Sequence, residues 1–241
     1  MPILRLILIL ALTAVCCEPA PAQSFSLHHR EFEVTGFAGR SVVPDLDFPT
    51  KVIDGDQVTL RTVGIRYDRG YHVGVRVAQH FADYWAANLE YSVSDQRVRF
   101  MNLAPGIENI SLSHLIHQFS YSVALAPTRL HTRFRPYAML GAGSTLFYIP
   151  DSSKYDASLF GLRLRDSWEF TVNAGVGFKF LIADRAVFAV DLKDHISGVP
   201  SYGLPLSAQV TAAGFQPGIE TRGMLHNWRL NAGLGFQWDG W

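Results

Sequence analysis

The sequence predicts an all-β chain, an eight-stranded antiparallel up-and-down transmembrane β-barrel, and three observations lead there. Period-two alternation recurs in eight stretches, the connections between them alternate long and short, and aromatics gather at both ends of the apolar faces. The last stretch is the cleanest: Trp228, Leu230, Ala232, Leu234, Phe236 and Trp238 share one face, and Asn227, Arg229, Asn231, Gly233, Gly235 and Gln237 share the other. Successive side chains of a strand point to opposite faces, so the apolar row must meet either a protein core or lipid.

In chain order the alternation predicts strands over 31–42, 70–81, 85–95, 113–125, 135–148, 168–180, 186–196 and 226–238. In the second, Tyr71, Val73, Val75, Val77 and Phe81 oppose His72, Gly74, Arg76, Ala78 and His80. In the third, Trp85, Leu89, Tyr91 and Val93 oppose Asn88, Glu90, Ser92 and Ser94; in the fourth, Phe119, Tyr121 and Val123 oppose Gln118, Ser120 and Ser122. The sixth sets Phe170, Val172, Val176, Phe178 and Phe180 against Thr171, Asn173 and Lys179. A dry sandwich core does not tolerate such charges unpaired.

Short connections span 82–84, 126–134 and 181–185, and long ones begin at Val43, Gln96, Ile149 and Ser197. Tight turns on one side and freely growing loops on the other are the rhythm of an up-and-down barrel with both chain ends on the turn side. The segment 58–66 also alternates, a pattern that would extend the second strand beyond the membrane, and is assigned to the first long loop; 206–215 is expected to form a short helix in the last. The Pro and Gly content of the long loops predicts irregular surface structure. Ten residues at about 3.3 Å rise and a tilt near 40° cover roughly a 25 Å apolar band, the spacing between Tyr71 and Phe81, Phe170 and Phe180, and Trp228 and Trp238.

Residues 1–22 read as a secretory signal, with Arg5, an apolar run over 6–15 and Ala20-Pro21-Ala22 as the cleavage site, so the exported domain is expected over 23–241. Cys16 and Cys17 fall inside the removed segment, which leaves no thiol for a disulfide or metal, and Val15 before Cys16 is a poor match to a lipidation site. Twenty-one basic residues balance twenty-one acidic ones, so no electrostatic footprint for nucleic acid exists. No stretch approaches the twenty apolar residues of a membrane helix.

Three stretches resemble the small bacterial outer-membrane β-barrel family, the OmpA-like or OmpX-like eight-stranded barrels: 70–91 folding over Phe81-Ala82-Asp83-Tyr84-Trp85, 170–195 folding over Ile182-Ala183-Asp184-Arg185, and the last strand. Within that strand, Asn231, Gly233, Phe236 and Trp238 are similar to the signal read by barrel-assembly machinery. The resemblance implies a periplasmic chaperone route and insertion into the outer membrane of a Gram-negative cell envelope by that machine. The chain continues through Asp239-Gly240-Trp241, which leaves open whether Trp238 or Trp241 is the terminal aromatic.

The inward row predicts a lumen charge network of Glu33, Arg76, Glu90, Lys179, Asp191, Lys193 and Arg229, with Glu33 near Arg229 because first and last strands close the ring. An eight-stranded barrel has room inside for side chains and little else, so ion pairs plugging it weigh against a porin-like pore. Asp194, His195 and Ser197 offer the residue types of an acyl-hydrolase triad, but no separate acidic member can be named. Among His28, His29, His72, His80, His114, His117, His131 and His226 only His72 and His80 share a face, too far apart along a strand to hold one metal; His114 and His117 fall on opposite faces. Gly141-Ala142-Gly143 and Gly175-Val176-Gly177 lack the following helix of a nucleotide loop.

No catalytic residue, metal or cofactor is therefore expected. The expected partners are outer-membrane lipid, the assembly machinery and an unidentified extracellular ligand of the long loops, around a monomeric barrel. The reading is a non-enzymatic role in envelope integrity or surface interaction. The alternatives are OmpW-like passage of small hydrophobic molecules, a lipid A acyl hydrolase, and a soluble lipocalin-like binder with its apolar face inward.

Overall fold

A computed structural model describes residues 31–239 apart from 106, 131 and 213. The signal segment, both cysteines, the expected start of the exported chain, His28, His29, His131 and Trp241 lie outside the described residues. The elements are β1 (Glu31–Val42), β2 (Leu46–Asp54), β3 (Gln57–Tyr67), β4 (Gly70–Ala82), β5 (Trp85–Ala104), β6 (Ile107–Leu125), β7 (Phe134–Tyr148), α1 (Asp151–Ser158), β8 (Ser167–Ala183), β9 (Ala186–Gly198), β10 (Ala208–Thr211), β11 (Gly214–Gln216) and β12 (Met224–Asp239).

Eight of these strands close on themselves in the order β1, β4, β5, β6, β7, β8, β9, β12, every neighbouring pair antiparallel. The closing seam runs from Glu31 opposite Asp239 to Val42 opposite Trp228. Both ends of the described chain and the three tight connections lie at one end of the ring, so the long connections all emerge at the other. The ring strands are those the alternation predicts, the first with the same bounds and the other seven extended at one or both ends.

The ring is built inside out relative to a soluble protein. Val73, Leu140, Phe170 and Leu234 are 62–70% exposed, whereas Glu33 is 0% and Arg229 1% exposed. A continuous apolar belt of this kind is not stable against water; its medium is hydrocarbon. The lipocalin-like alternative is corrected by the same observation, because the apolar face points outward. No helix among the described residues is long and apolar enough to cross a membrane, which is immaterial to a protein that crosses with strands.

The long connections depart from expectation. Residues 58–66, assigned to a loop, form most of β3, which pairs with β2 from Leu46 opposite Ile65 to Asp54 opposite Gln57. The segment 206–215 is not a helix: β10 and β11 form a small hairpin, and β10 runs parallel to β2 with Ala208 opposite Val52. The helix that does form is α1, in the third long connection. β5 and β6 run far past the belt, with Met101 still opposite Asn109, and β3 takes over from β4 as the β5 partner from Tyr67 opposite Val98 upward.

Nor are these connections irregular surface. Val63, Ile65, Phe100, Ile149, Leu162 and Ile219 are among the buried members of an apolar cluster drawn from all four of them. Backbone polar groups that leave the membrane must still be paired, and alternating residues such as Val63 and Ile65 let a loop do so as sheet while burying one face.

Candidate functional site: the filled lumen and its cap

Inside the ring the inward side chains stack in layers. At the turn end, Lys179 Nζ donates to both Glu33 carboxylate oxygens at 2.7 Å. Gln237 Nε2 donates to Glu33 Oε2 at 2.9 Å, and Thr35 Oγ1 donates to Oε1 at 2.8 Å. Arg135, not singled out in the sequence, reaches the Asp83 carbonyl with Nη2 at 2.8 Å and stands 3.4 Å from His80 Nδ1.

The middle layer crosses the lumen. Arg76 Nε donates to Glu90 Oε2 at 2.8 Å, which cross-strand register dictates, and Arg76 Nη2 donates to Asp191 Oδ2 at 2.7 Å from the far wall. Lys193 pairs with the same Glu90 and lies 3.8 Å from Asp191 Oδ1. Tyr137 Oη and Asn231 Nδ2 donate to Asp191 at 3.0 and 2.6 Å. The Phe37 ring fills the space beside them, 5.5 Å from the Arg76 guanidinium carbon and 5.8 Å from Lys193 Nζ. Phe37 is opposite Gly74 on one side and Gly233 on the other. A Cβ at Gly74 would collide with the ring itself, so the missing side chain makes room for it.

The structure thus brings Glu33 to Lys179, and Arg76, Glu90, Asp191 and Lys193 to one another. It does not bring Glu33 to Arg229. Register explains the correction: Glu33 faces Gln237, while Arg229 faces Ser41 eight residues further up the seam. Arg229 donates to Ser92 Oγ at 2.6 Å, in an upper layer of hydroxyls and amides that includes Ser41, Asn227 and Gln96. The missed residues Phe37, Tyr137 and Arg135 carried a usable signal, since each falls on the inward phase of its strand.

A pocket lined by Arg76, His80, Asn88, Arg135, Tyr137 and Lys179 has room for about one water molecule. Above the polar layers, the apolar cluster closes the outer mouth. Its boundary is marked by Tyr202, fully buried at φ 53°, whose hydroxyl lies 2.9 Å from that of Tyr67 and 3.2 Å from His114 Nε2. His114 in turn stacks on Phe147 at 5.7 Å. Burial pushes the Tyr67 and Tyr202 phenols above the ordinary range, so both remain neutral donors.

The triad residue types are not assembled. His195 is buried facing the lumen, Ser197 Oγ donates to the Gly198 carbonyl at 3.0 Å, and Asp194 pairs with His226 Nδ1 at 2.7 Å. Nucleophilic catalysis needs the hydroxyl on the imidazole and the imidazole on the carboxylate. His114 is buried, while His117 meets Tyr91 Oη at 2.9 Å on the outer face. No group of three metal-ligating side chains occurs among the described residues. Of the terminal motif, Asn231 and Gly233 face the lumen, Phe236 is exposed on the belt, and Trp238 stacks on Phe32 at 5.9 Å.

No family model and no curated protein matches the chain. Among solved structures, OprG from Pseudomonas aeruginosa is similar with a TM-score of 0.59 and 16% identity, over 87% of this chain and 96% of that one. Ail of Yersinia pestis is similar with a TM-score of 0.42 and 12% identity, over 87% and 99%. The N-terminal barrel domain of Pseudomonas aeruginosa OprF follows with 0.42 and 13%, over 86% and 97%. The OprG likeness is one of fold: an eight-stranded barrel of the bacterial outer-membrane type. With its apolar belt, the chain is a transmembrane β-barrel of that class.

Proposed function

We propose that this chain is a non-enzymatic, integral protein of the bacterial outer membrane whose role is envelope integrity or surface interaction, exerted through its ordered external extension. The observation that carries this reading is the filled interior: Arg76, Glu90, Asp191 and Lys193 tie opposite walls together, and the apolar cluster seals the mouth above them. Side chains packed this way leave the strands as a rigid support rather than the wall of a conduit. Passage of small hydrophobic molecules along the whole lumen needs an apolar path, and the polar layers interrupt one. The barrel is inserted by the assembly machinery through its last strand, sits in lipid as a monomer, and offers its external strands to an extracellular ligand.

Recording in planar bilayers tests the reading. The expected result is no conductance comparable to that of a porin, together with outer-membrane fractionation and heat-modifiable migration on a denaturing gel. Porin-sized steps, or a chain recovered with soluble proteins, overturn it.

A further inference from the structure

At the outer end of the wall made by β1, β4 and β5, the apolar belt gives way to arginine. Arg40 points outward from β1 opposite Tyr71. Its Nη2 donates to the Tyr71 hydroxyl at 2.6 Å, and its guanidinium carbon stands 4.9 Å from the centre of that ring. The contact holds the guanidinium in place while occupying one of its five N–H donors. Two further arginines lie one step outward. Arg69 precedes Tyr71 by two residues, and Arg97 follows by two residues the Asp95 that pairs with Tyr71. The backbone N–H of Asp68 donates to the Arg97 carbonyl at 2.9 Å, which fixes the two segments side by side.

With strands about 4.8 Å apart and two residues rising about 6.7 Å, the three Cα atoms fall within roughly 12 Å. All three arginines are exposed, and none forms a salt bridge among the described residues. Asp68 is taken by Arg99, and Asp45 and Asp47 by Arg66. That leaves three cations against Asp95, an uncompensated positive patch. Directly below it lie Tyr71, Val73, Leu89 and Tyr91 of the belt, all exposed. A positive patch continuous with a lipid-facing surface sits at headgroup height, and guanidinium forks match phosphate oxygens in geometry as well as charge.

We infer that Arg40, Arg69 and Arg97 bind the phosphate headgroup of an outer-leaflet lipid whose acyl chains lie on the belt beneath. The inference rests on the membrane-spanning reading above.

The test uses the full chain refolded in neutral detergent, with lipid binding counted by native mass spectrometry. Bis-phosphorylated lipid A and the same lipid stripped of phosphate are titrated, with inorganic phosphate as competitor. The stripped lipid is expected to bind at least about tenfold more weakly, and the triple change Arg40→Gln, Arg69→Gln, Arg97→Gln to weaken the intact lipid similarly. Changing Arg163→Gln and Arg222→Gln, elsewhere on the rim, leaves binding unchanged. Equal binding of the two lipids, an unaffected triple variant, or displacement by inorganic phosphate as effective as by lipid overturns the inference. If the triple variant does not fold, the stripped lipid on the unaltered chain decides. A failure here in a barrel that still shows heat-modifiable migration removes the lipid site alone; loss of that migration from the unaltered chain removes the membrane reading itself.

Discussion

Arg76 and Asp191 meet at 2.7 Å inside the barrel although 115 residues separate them in the chain. β1 and β12 stand between their strands in the ring, so the contact spans the lumen rather than following the wall. A buried ion whose partner is removed costs about 3–5 kcal/mol, whereas removing both ions together costs less. Asp191→Ala is therefore expected to lower stability by about 3–5 kcal/mol. The Arg76→Met, Asp191→Leu double variant should lose less. Urea unfolding in lipid vesicles, followed by the folded gel band, measures both; a double variant worse than the single would refute the staple.

The Phe37 ring lies over Gly74, so the pair should behave as one unit. Gly74→Ala is expected to destabilise the barrel by about 1–3 kcal/mol through overpacking. Adding Phe37→Ala should recover part of that loss, because the added methyl then has space. A double-mutant cycle in the same unfolding assay reads the coupling, and simple additivity would show that the ring is free to move aside.

Leu140 and Leu60 are similarly exposed, at 64% and 71%, yet they meet different media. Leu140 lies on the belt and Leu60 on β3 above it. Leu140→Arg should cost about 2–4 kcal/mol, the penalty for a cation near the bilayer midplane. Leu60→Arg should stay within about 0.5 kcal/mol. Equal effects would mean that both faces touch water.

Tyr202 ties the last external connection to β3 and β6. Tyr202→Phe leaves the Tyr67 hydroxyl and His114 without their shared partner, an expected cost of about 1–3 kcal/mol for buried unpaired polar groups. The readout is faster proteolytic cleavage within 199–223 at an unchanged barrel core. Unchanged cleavage would show that other contacts hold the connection down.

The ring was legible because lipid on one side and ion pairs on the other force strict alternation, as in Trp228 to Trp238. Its interior pairing was less so. Closure of the first strand on the last is readable, but the vertical register that sends Glu33 to Gln237 and Lys179, and Arg229 to Ser92, depends on the stagger of the whole sheet. Phe37 and Tyr137 carry no charge, so a charge pattern does not mark them, although the lumen packs these rings beside its cations. Above the membrane, β3 buries only its lower residues, so the alternation of Val58 and Leu60 with Thr59 and Arg61 marks no buried face and reads equally as a surface loop. The β10–β11 hairpin, too short to show periodicity, is specified by pairing with β2 rather than by its own residues.

That parallel contact joins the connection after β1 to the one before β12, so the two arch together over the seam where the barrel closes. Thr50 Oγ1 accepts the Glu220 backbone N–H at 3.2 Å at the same crossing. The first and last external segments consequently share one stretch of backbone pairing, from Ala208 opposite Val52 to Val210 opposite Asp54, and displacing either segment there breaks hydrogen bonds of the other. Any partner reaching this end of the barrel would meet a single composite platform built from both connections.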